Sequence, residues 1–406
     1  MINSPLIEGG IVARPPPFYE YVSGERPDQA SAPEQVAWKL ENAACALGWP
    51  AGRIMGSEAE LLRGFGVGRE TLRAAIRIVE RRGAMRMTRG RFGGLTIARP
   101  SLQQAAMALA IYLRALGCPV ERVDELIGVL RTMAHDDATL PLRLAEGAGE
   151  MLRALDAKDG SPGCRAMFAN PNVRAAMIAM RIIDASETGV DPGRLGCEWD
   201  LSIRFATSRL VMRQALRVLR DFDMLETRRG RGGGVFLKRP APIAIVRQLF
   251  SYLASEGHTV ETSLEKLWIL NLANLQLAST RLARMPASDR ERWIARTGTA
   301  LEELEEPQRW VVLQQALASL SDNVLLDTLA RCMACFQARQ GLPVPRQPSE
   351  IVETLLTHER DILSALCLGR SDAAEAAHDA AQALMGWLVR AAGATTPETI
   401  TSPDQR

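Results

Sequence analysis

The sequence of 406 residues predicts a mainly α-helical fold with two small β-hairpins. Two observations carry this prediction: a segment recurs further along the chain at a fixed offset, and each copy reads as three helices followed by a hairpin. Charged residues make up 24% and hydrophobic residues 47%, which is ordinary for a globular chain of several domains. No run approaches about 18 uninterrupted apolar residues, so no transmembrane helix is expected.

Cysteine and histidine usage and the N-terminal segment narrow the class of protein. The seven cysteines are odd in number and scattered, which is not a disulfide framework, and only four histidines are present to support zinc or imidazole chemistry. The opening segment MINSPLIEGGIVARPPPFYE lacks a basic stretch followed by a continuous apolar run, so no secretory signal is expected. We therefore expect a cytoplasmic protein that needs no cofactor.

Positive charge is concentrated in two segments. Residues 56–99 carry a net charge of +6 and residues 196–239 carry +5, so the rest of the chain sums to −9 within a total of +2. Two basic segments in an acidic chain are typical of local anion-binding surfaces, and nucleic acid is the commonest such anion.

The two basic segments are copies of each other. When 140 is added to each position from 56 to 100, 15 of the 45 positions are identical without any gap. The first-copy members of these pairs are Gly56, Glu58, Leu61, Phe65, Arg69, Arg73, Ala75, Arg77, Arg89, Gly90, Arg91, Gly93, Gly94, Arg99 and Pro100. A duplication is the simplest explanation, and the period is too long for a solenoid.

In the first copy, a helix is predicted over about 33–47, followed by a turn over 48–56. Ser57 is placed to cap a short helix over 58–65, since its hydroxyl can accept a hydrogen bond from an amide two or three residues on. After a tight turn, residues 69–83 put leucine, isoleucine and valine on one helix face and arginine on another.

The segments AMRMT and LTIA then alternate like two strands, and the glycine-rich RGRFGG between them predicts a hairpin. The second copy repeats the pattern, with helices near 173–186, in CEWDLSIRF and in RLVMRQALRVLRDF, and a hairpin in MLETRRGRGGGVFLK. This order of elements is a winged helix-turn-helix, in which the hairpin is the wing.

The segment GSEAELLRGFGVGRETLRAAIRIVERRGAM, with the following RGRFGG, resembles the DNA-binding domain of the GntR superfamily of bacterial transcription regulators. The second copy is similar but looser, because Cys197 replaces the serine. Further along, ALASLSDNVLLDTLARCM and ERDILSALCLGRSDAAEAA resemble helices of the all-helical effector domain of the FadR-like subfamily. The resemblance implies a DNA-binding regulator with a helical domain that senses a small molecule.

A recognition helix needs long hydrogen-bond donors at its N-terminal end, where it meets base edges in the major groove. Arg69 and Arg209 stand at that place, and Arg73 and Arg213 lie one turn later. The wing glycines let the backbone approach the minor groove or the phosphates. The predicted DNA-binding residues are Ser57, Arg69, Glu70, Thr71, Arg73, Arg89, Gly90, Arg91, Ser208, Arg209, Arg213, Arg229, Gly230 and Arg231.

The two copies differ directly after the first arginine. Glu70 would repel phosphate but can accept a hydrogen bond from cytosine, whereas Leu210 can touch a thymine methyl group. The two copies are therefore expected to read different half-sites. The alternative interpretations are a solvated arginine face and, for the second copy, a module for dimerisation or scaffolding.

The C-terminal region gives weaker signals. The resemblance places Gln314, Glu359 and Ala383 where effector domains of this kind hold a metal with histidines, and His358 and His378 are expected to face away from the interior. We therefore expect no metal. Cys332 and Cys335 are interpreted as buried small hydrophobic residues rather than a redox or metal pair.

The predicted organisation has six parts: a tail over 1–30, a first winged domain over 31–100, a truncated helical connector over 101–172, a second winged domain over 173–240, a helical effector and dimerisation domain over 241–395, and a tail over 396–406. The predicted function is transcription regulation by sequence-specific binding of double-stranded DNA, with repression and a homodimer favoured, and no enzyme activity or membrane contact. The alternatives are a plasmid-type replication initiator and a protein-interaction module.

Overall fold

The computed structural model describes residues 31–90, 93–133, 140–156, 170–187, 194–228, 234–257, 260–304, 308–339, 349–372 and 374–381. These residues form a mainly helical structure with two small antiparallel sheets, as the sequence predicts. Both predicted tails lie outside the described ranges. Within those ranges, no helix combines the length and the apolar composition needed to span a bilayer.

The chain divides into two compact units. The first contains the described residues up to 257 together with 323–336, and the second contains residues 260–322 and those from 337 onward. The six predicted domain boundaries stay a prediction. The helix that follows the second hairpin and residues 323–336, both inside the predicted segment 241–395, belong to the first unit.

The first copy contains three helices and three short strands. In chain order these are α1 (Ala32–Ala46), β1 (Ile54–Gly56), α2 (Glu58–Phe65), α3 (Arg69–Arg81), β2 (Met85–Met87) and β3 (Leu95–Ile97). The sheet order is β1-β3-β2 with both pairs antiparallel. Helix α3 buries Leu72, Ala75, Ile76 and Val79, the apolar stripe that the sequence predicts.

The strand β1 was not predicted, because residues 48–56 read as a turn. Ile54 is paired with Thr96 and Gly56 with Leu95, so the partners are distant in the sequence and belong to separate parts of the copy. A strand this short has no periodicity of its own, so only this non-local pairing creates it. A Cβ atom on Gly94 would lie 2.7 Å from the Gly56 carbonyl oxygen, so the third strand also requires a glycine here.

The second copy has the same elements at the same offset. They are α7 (Pro171–Glu187), β4 (Arg194–Gly196), α8 (Glu198–Arg204), α9 (Arg209–Asp221), β5 (Leu225–Arg228) and β6 (Gly234–Leu237). The sheet order β4-β6-β5 matches that of the first copy. Helices α3 and α9 begin and end at equivalent positions of the repeat.

Between and after the two copies lie further helices of the first unit. They are α4 (Leu102–Ala115), α5 (Val120–Met133), α6 (Leu140–Asp156) and α10 (Pro242–Ser255). Helices α4 and α10 are related by the same offset as the copies. Phe250 packs against Phe336 with ring centroids 5.5 Å apart, and the Asn323 side chain donates to the Arg122 carbonyl oxygen at 2.8 Å. These contacts attach residues 323–336 to this unit.

The second unit is helical. It contains α11 (Val260–Arg284), α12 (Ala287–Glu302), α13 (Gln308–Ser321), the end of α14 (Val324–Arg339), α15 (Ser349–Cys367) and the helical residues 374–381. Helix α13 packs against α11 and α12 around a core of leucines that includes Leu275, Leu313 and Leu317.

Candidate nucleic-acid interface

The short helix that precedes each recognition-type helix begins with a capping interaction. The Ser57 hydroxyl accepts from the Glu60 amide at 3.3 Å, and the Glu60 carboxylate accepts from the Ser57 amide at 2.8 Å. The Ser57 amide and the Ser57 hydroxyl, which also donates to this carboxylate at 2.9 Å, lower the pKa of Glu60. This reciprocal pair confirms the predicted cap. In the second copy, Cys197 occupies that position and its sulfur accepts from the Asp200 amide at 3.5 Å.

The predicted reading arginines lie on the exposed side of α3 and α9. The Arg69 side chain is 68% exposed, and Arg73 and Arg213 are about half exposed. Arg209 is exposed as well, as the first residue of α9. Leu72 and Met212 face inward from the same helices, so the helical period itself separates the apolar side from the arginine side.

A glutamate holds the second arginine in each copy. The Arg73 Nε donates to Glu58 Oε1 at 2.8 Å, and the Arg213 Nε donates to Glu198 Oε1 at the same 2.8 Å. The bond to Glu198 raises the pKa of Arg213. The Arg69 Nε is 3.8 Å from the same Glu58 oxygen. Each bond uses Nε and leaves the terminal nitrogens of the guanidinium as donors toward solvent.

Glu58 and Glu198 were not among the predicted site residues. Their signal was present in the sequence, because they are identical at the repeat offset and each precedes its arginine by the same interval. From the sequence alone, an acidic residue in a basic segment is expected to weaken DNA binding. The structure shows that these two glutamates instead position an arginine.

The other predicted DNA-binding residues at the start of α3 and α9 differ in their exposure to solvent. Glu70 and Leu210 are exposed at the second position of their helices, and Thr71 is half-buried. Ser208 is exposed and caps α9 by accepting from the Val211 amide at 3.3 Å. Its counterpart Gly68 caps α3 without a side-chain bond.

The hairpin of the first copy presents Arg89 and Gly90 to solvent. Gly90 has φ +117°, a backbone conformation that side chains rarely adopt. The Thr88 hydroxyl closes the hairpin by donating to the Gly94 carbonyl oxygen at 3.0 Å. The predicted site residues Arg91, Arg229, Gly230 and Arg231 lie outside the described residues.

The two copies pack against each other in a reciprocal way. Helix α1 of the first copy contacts α10, which follows the second copy, and helix α7 of the second copy contacts α4, which follows the first. Helices α4 and α10 also contact each other. Exchanging the two copies maps this set of contacts onto itself, which is the property of a two-fold axis.

One ion pair lies close to this pseudo-two-fold axis. Arg81 and Asp221 occupy the same position of the repeat, at the ends of α3 and α9, and the Arg81 guanidinium contacts the Asp221 carboxylate. A residue that touches its own counterpart lies near the axis that relates them. Burial raises the pKa of Asp221 to about 6, against the lowering effect of the Arg81, Arg82 and Arg220 guanidinium groups.

A buried polar network lies on one side of the contact between the copies. Arg82 Nη1 donates to Glu41 Oε1 at 2.9 Å, and the Ser251 hydroxyl donates to the same oxygen at 3.2 Å. Glu41 and Ser251 are fully buried. The positions equivalent to Glu41, Arg82 and Ser251 hold Arg181, Phe222 and Ile111, so the network has no counterpart on the other side.

The second unit differs from one sequence expectation. His378 was expected to face away from the interior, but it is fully buried, with its ring 5.7 Å from the Trp310 ring. Residues 374–381 pack Ala374 and Ala381 into the core, and His378 lies one turn from each. Burial lowers the pKa of His378 to about 4, so the imidazole is neutral at pH 7.

One of the residues at the expected metal positions, Glu359, forms an ion pair with an arginine. The Glu359 carboxylate accepts from Arg309 at 2.6 and 3.0 Å, and Ala383 lies outside the described residues. No group of three metal-ligating side chains occurs within the described ranges. In the first unit, Cys332 and Cys335 are buried, and burial raises the pKa of the Cys332 thiol. This burial agrees with the packing interpretation of the cysteine pair.

Comparison with solved structures finds distant similarity. No protein-family model and no curated protein matches the chain. A solved structure described as Streptococcus agalactiae GntR aligns with 54% of this chain and 99% of its own length, at 19% identity and a TM-score of 0.37. A similarity of this size is too distant to decide the function, which must be argued from the residues.

Proposed function

We propose that the protein is a sequence-specific DNA-binding transcription regulator whose two repeat copies are winged helix-turn-helix domains. The observation that carries the proposal is that both copies present two exposed arginines on the first two turns of an exposed helix. A glutamate of the preceding helix holds the second arginine in each copy. The common order of three helices and three strands, with the hairpin after the arginine helix, supports the assignment.

The arginines are suited to reading DNA because of their position and their geometry. The N-terminal residues of a recognition helix reach base edges in the major groove, and a guanidinium binds guanine or phosphate with two donors. Arg69 and Arg209 are placed for bases. Arg73 and Arg213, restrained by Glu58 and Glu198, are placed for phosphate or a neighbouring base. The hairpin residues Arg89 and Gly90 add a contact to the backbone or the minor groove.

One chain supplies both reading helices. Regulators with a single winged domain must dimerise to place two helices on DNA, whereas here a pseudo-two-fold axis relates two copies within one polypeptide. The second helix is then held at a high effective concentration beside the first. We further propose that binding occludes a promoter and that the second unit senses a small molecule. A homodimer formed through 241–395 stays a prediction.

The test is selection of DNA fragments by the purified full-length protein at two salt concentrations, followed by affinity measurement on the selected site. Arg69→Ala and Arg209→Ala should each lower the affinity at least ten-fold. Arg292→Ala is the matched control, since Arg292 is 76% exposed on α12, and it should leave the affinity unchanged. If no motif is enriched and binding only fades with salt, the proposal is wrong.

A second candidate function rests on a specific feature of the second copy. Trp199, Ile203 and Leu210 are 54%, 60% and 66% exposed, whereas the equivalent positions of the first copy hold Ala59, Arg63 and Glu70. Exposed large apolar side chains are typical of protein contacts. This candidate predicts that Trp199→Ala changes the oligomeric state in sedimentation experiments and leaves DNA binding intact.

The expected absence of a metal has its own measurement. Elemental analysis of the purified protein should find no stoichiometric zinc or manganese. A stoichiometric metal would mean that ligands exist beyond Gln314 and Glu359, and the expectation drawn from the sequence would be wrong.

A further inference from the structure

Glu70 and Leu210 are the same position of the repeat with opposite chemistry. Helices α3 and α9, the two arginine helices, begin with Arg69 and Arg209. Glu70 and Leu210 are the second residues of these helices, and both are exposed. Leu210 is 66% exposed, so packing within the chain does not explain a leucine there. Among the described residues, none forms an ion pair or hydrogen bond with the Glu70 carboxylate. Both side chains are available to an external partner.

The chemistry of the two side chains selects different base pairs. A carboxylate accepts a hydrogen bond from the N4 amino group of cytosine, and it is repelled by phosphate. A leucine offers no hydrogen bond, but it makes apolar contact with the methyl group of thymine. In the major groove only thymine carries a methyl group. The cytosine amino group, unlike that of adenine, has no N7 acceptor beside it to repel a carboxylate, so the two side chains distinguish bases at equivalent places of two half-sites.

The arginines and the glutamate around the two side chains are matched. The preceding arginine, the arginine four residues after it and the glutamate that holds the latter are identical in the two copies. The Nε to Oε1 distance is 2.8 Å in both. A difference in base preference between α3 and α9 is therefore attributed first to position 70 or 210.

The contact between the copies favours the pairing of one first copy with one second copy. Arg81 faces Asp221 near the pseudo-two-fold axis, and the buried network of Arg82, Glu41 and Ser251 occurs on one side only. Two first copies would bring Arg81 against another arginine, and two second copies would bring Asp221 against another aspartate. Unlike copies therefore pair with complementary charge, and like copies do not.

We propose that a single chain reads an asymmetric DNA site of two unlike half-sites, one bound by α3 and one by α9, and that Glu70 and Leu210 are the residues that set the difference. The inference rests on the proposed function. A homodimer of ordinary single-domain regulators presents two identical helices and reads a palindrome, whereas this chain presents one glutamate helix and one leucine helix. Cytosine in one half-site is expected to correspond to thymine in the other.

The experiment is selection from random double-stranded DNA by the full-length protein and three variants. The wild type should enrich an asymmetric motif. Glu70→Leu and Leu210→Glu should each enrich a nearly symmetric motif, of the thymine type and the cytosine type respectively. The double exchange Glu70→Leu with Leu210→Glu should restore the asymmetric motif, because the half-sites then only change places. On the selected sites, each single variant should prefer its new motif about ten-fold.

A matched control separates base reading from a change of surface charge. Leu368 is 67% exposed in the second unit, so Leu368→Glu adds the same charge without changing α3 or α9 and should leave the motif unchanged. A symmetric wild-type motif, or single variants that keep the wild-type motif, would overturn the inference while leaving the proposed function in place. A Leu210→Glu variant that changes the oligomeric state but not the motif would overturn it in favour of a protein contact. A wild type that enriches no motif would overturn the proposed function itself.

Discussion

The two copies of the repeat have the same order of helices and strands, although few of their residues are identical. Their helices and strands begin at equivalent positions or at the neighbouring residue, and the same glutamate–arginine pair forms in both. At three positions, however, the first copy has alanine, arginine and glutamate, whereas the second copy has exposed tryptophan, isoleucine and leucine. The comparison teaches that a small set of local interactions maintains the fold, which leaves the surface free to diverge.

The second copy keeps the same turn conformations at two positions where the first copy has glycine and it does not. Gly66 and Gly83 have φ of +62° and +72° in the first copy, and the equivalent Ala206 and Asp223 have +48° and +54°. Alanine in this left-handed region costs about 1 kcal/mol or more. The turn at Ala206 is therefore held by the surrounding packing rather than by the preference of its residue.

The largest expected effect comes from the buried network that distinguishes the two sides of the contact. Arg82→Met removes the Arg82 guanidinium from the fully buried Glu41 carboxylate, so the free energy of unfolding should fall by about 3–5 kcal/mol. Urea denaturation monitored by circular dichroism measures this. The double variant Glu41→Leu with Arg82→Met should regain most of the loss, and a double variant as unstable as the single one would contradict this role.

The pair near the pseudo-two-fold axis should give a smaller effect that depends on pH. The folded-state pKa of Asp221, about 6, exceeds the ordinary value of 3.8. The contribution of this carboxyl to stability is therefore complete below about pH 3.8 and is lost as the pH rises through 6. At pH 7.5 the ionised carboxylate needs Arg81, so Arg81→Met should cost about 1–3 kcal/mol, the lower part of this range reflecting the partial exposure of Arg81.

At pH 5 the Asp221 carboxyl is largely protonated, and the cost of Arg81→Met should fall below about 1 kcal/mol. Thermal unfolding at the two pH values compares them directly. Asp221→Asn is the control and should remove the pH dependence of this cost. The charge exchange Arg81→Asp with Asp221→Arg should be more stable than Arg81→Asp alone. An equal cost of Arg81→Met at both pH values would mean that Asp221 does not titrate in this range.

The glutamate–arginine pairs test whether both copies bind DNA. Arg73→Ala and Arg213→Ala should each weaken binding to the selected site about ten-fold, while the melting temperature stays nearly unchanged because exposed ion pairs contribute little to stability. Fluorescence anisotropy at fixed salt measures the affinity. A loss with Arg73→Ala and none with Arg213→Ala would show that only the first copy reads DNA. A large fall in melting temperature with intact binding would show that the arginine is structural.

The smallest expected effect concerns the turns between the short helix and the arginine helix. Ala206→Gly should stabilise the protein by about 0.5–1 kcal/mol, because glycine adopts the left-handed conformation without strain. Gly66→Ala should destabilise it by a similar amount. Thermal unfolding of the two variants side by side decides this, and a destabilised Ala206→Gly variant would mean that the alanine methyl group makes contacts worth more than the strain.

Much of the candidate site could be predicted because it depends on interactions between residues that are close in the sequence. The Ser57 cap depends on residues close together in the chain, and the arginine face of α3 follows from the helical period. The strand β1 could not be predicted, since its pairing with β3 joins segments that are distant in the sequence. The burial of His378 was predicted incorrectly, because the elements that pack against a helix decide which of its faces is buried. The roles of Glu58 and Glu198 stayed hidden until their arginine partners were seen.

The sequence by itself determined the repeat, the helices and the placement of arginine at matched positions, since capping, helical periodicity and identity at a fixed offset can all be read along the chain. Only the tertiary structure decided that Arg81 meets Asp221 and that Glu41 is buried against Arg82 and Ser251. These contacts join residues up to 210 positions apart. Such contacts form only when the helices of both copies pack against each other, and no local pattern records that packing.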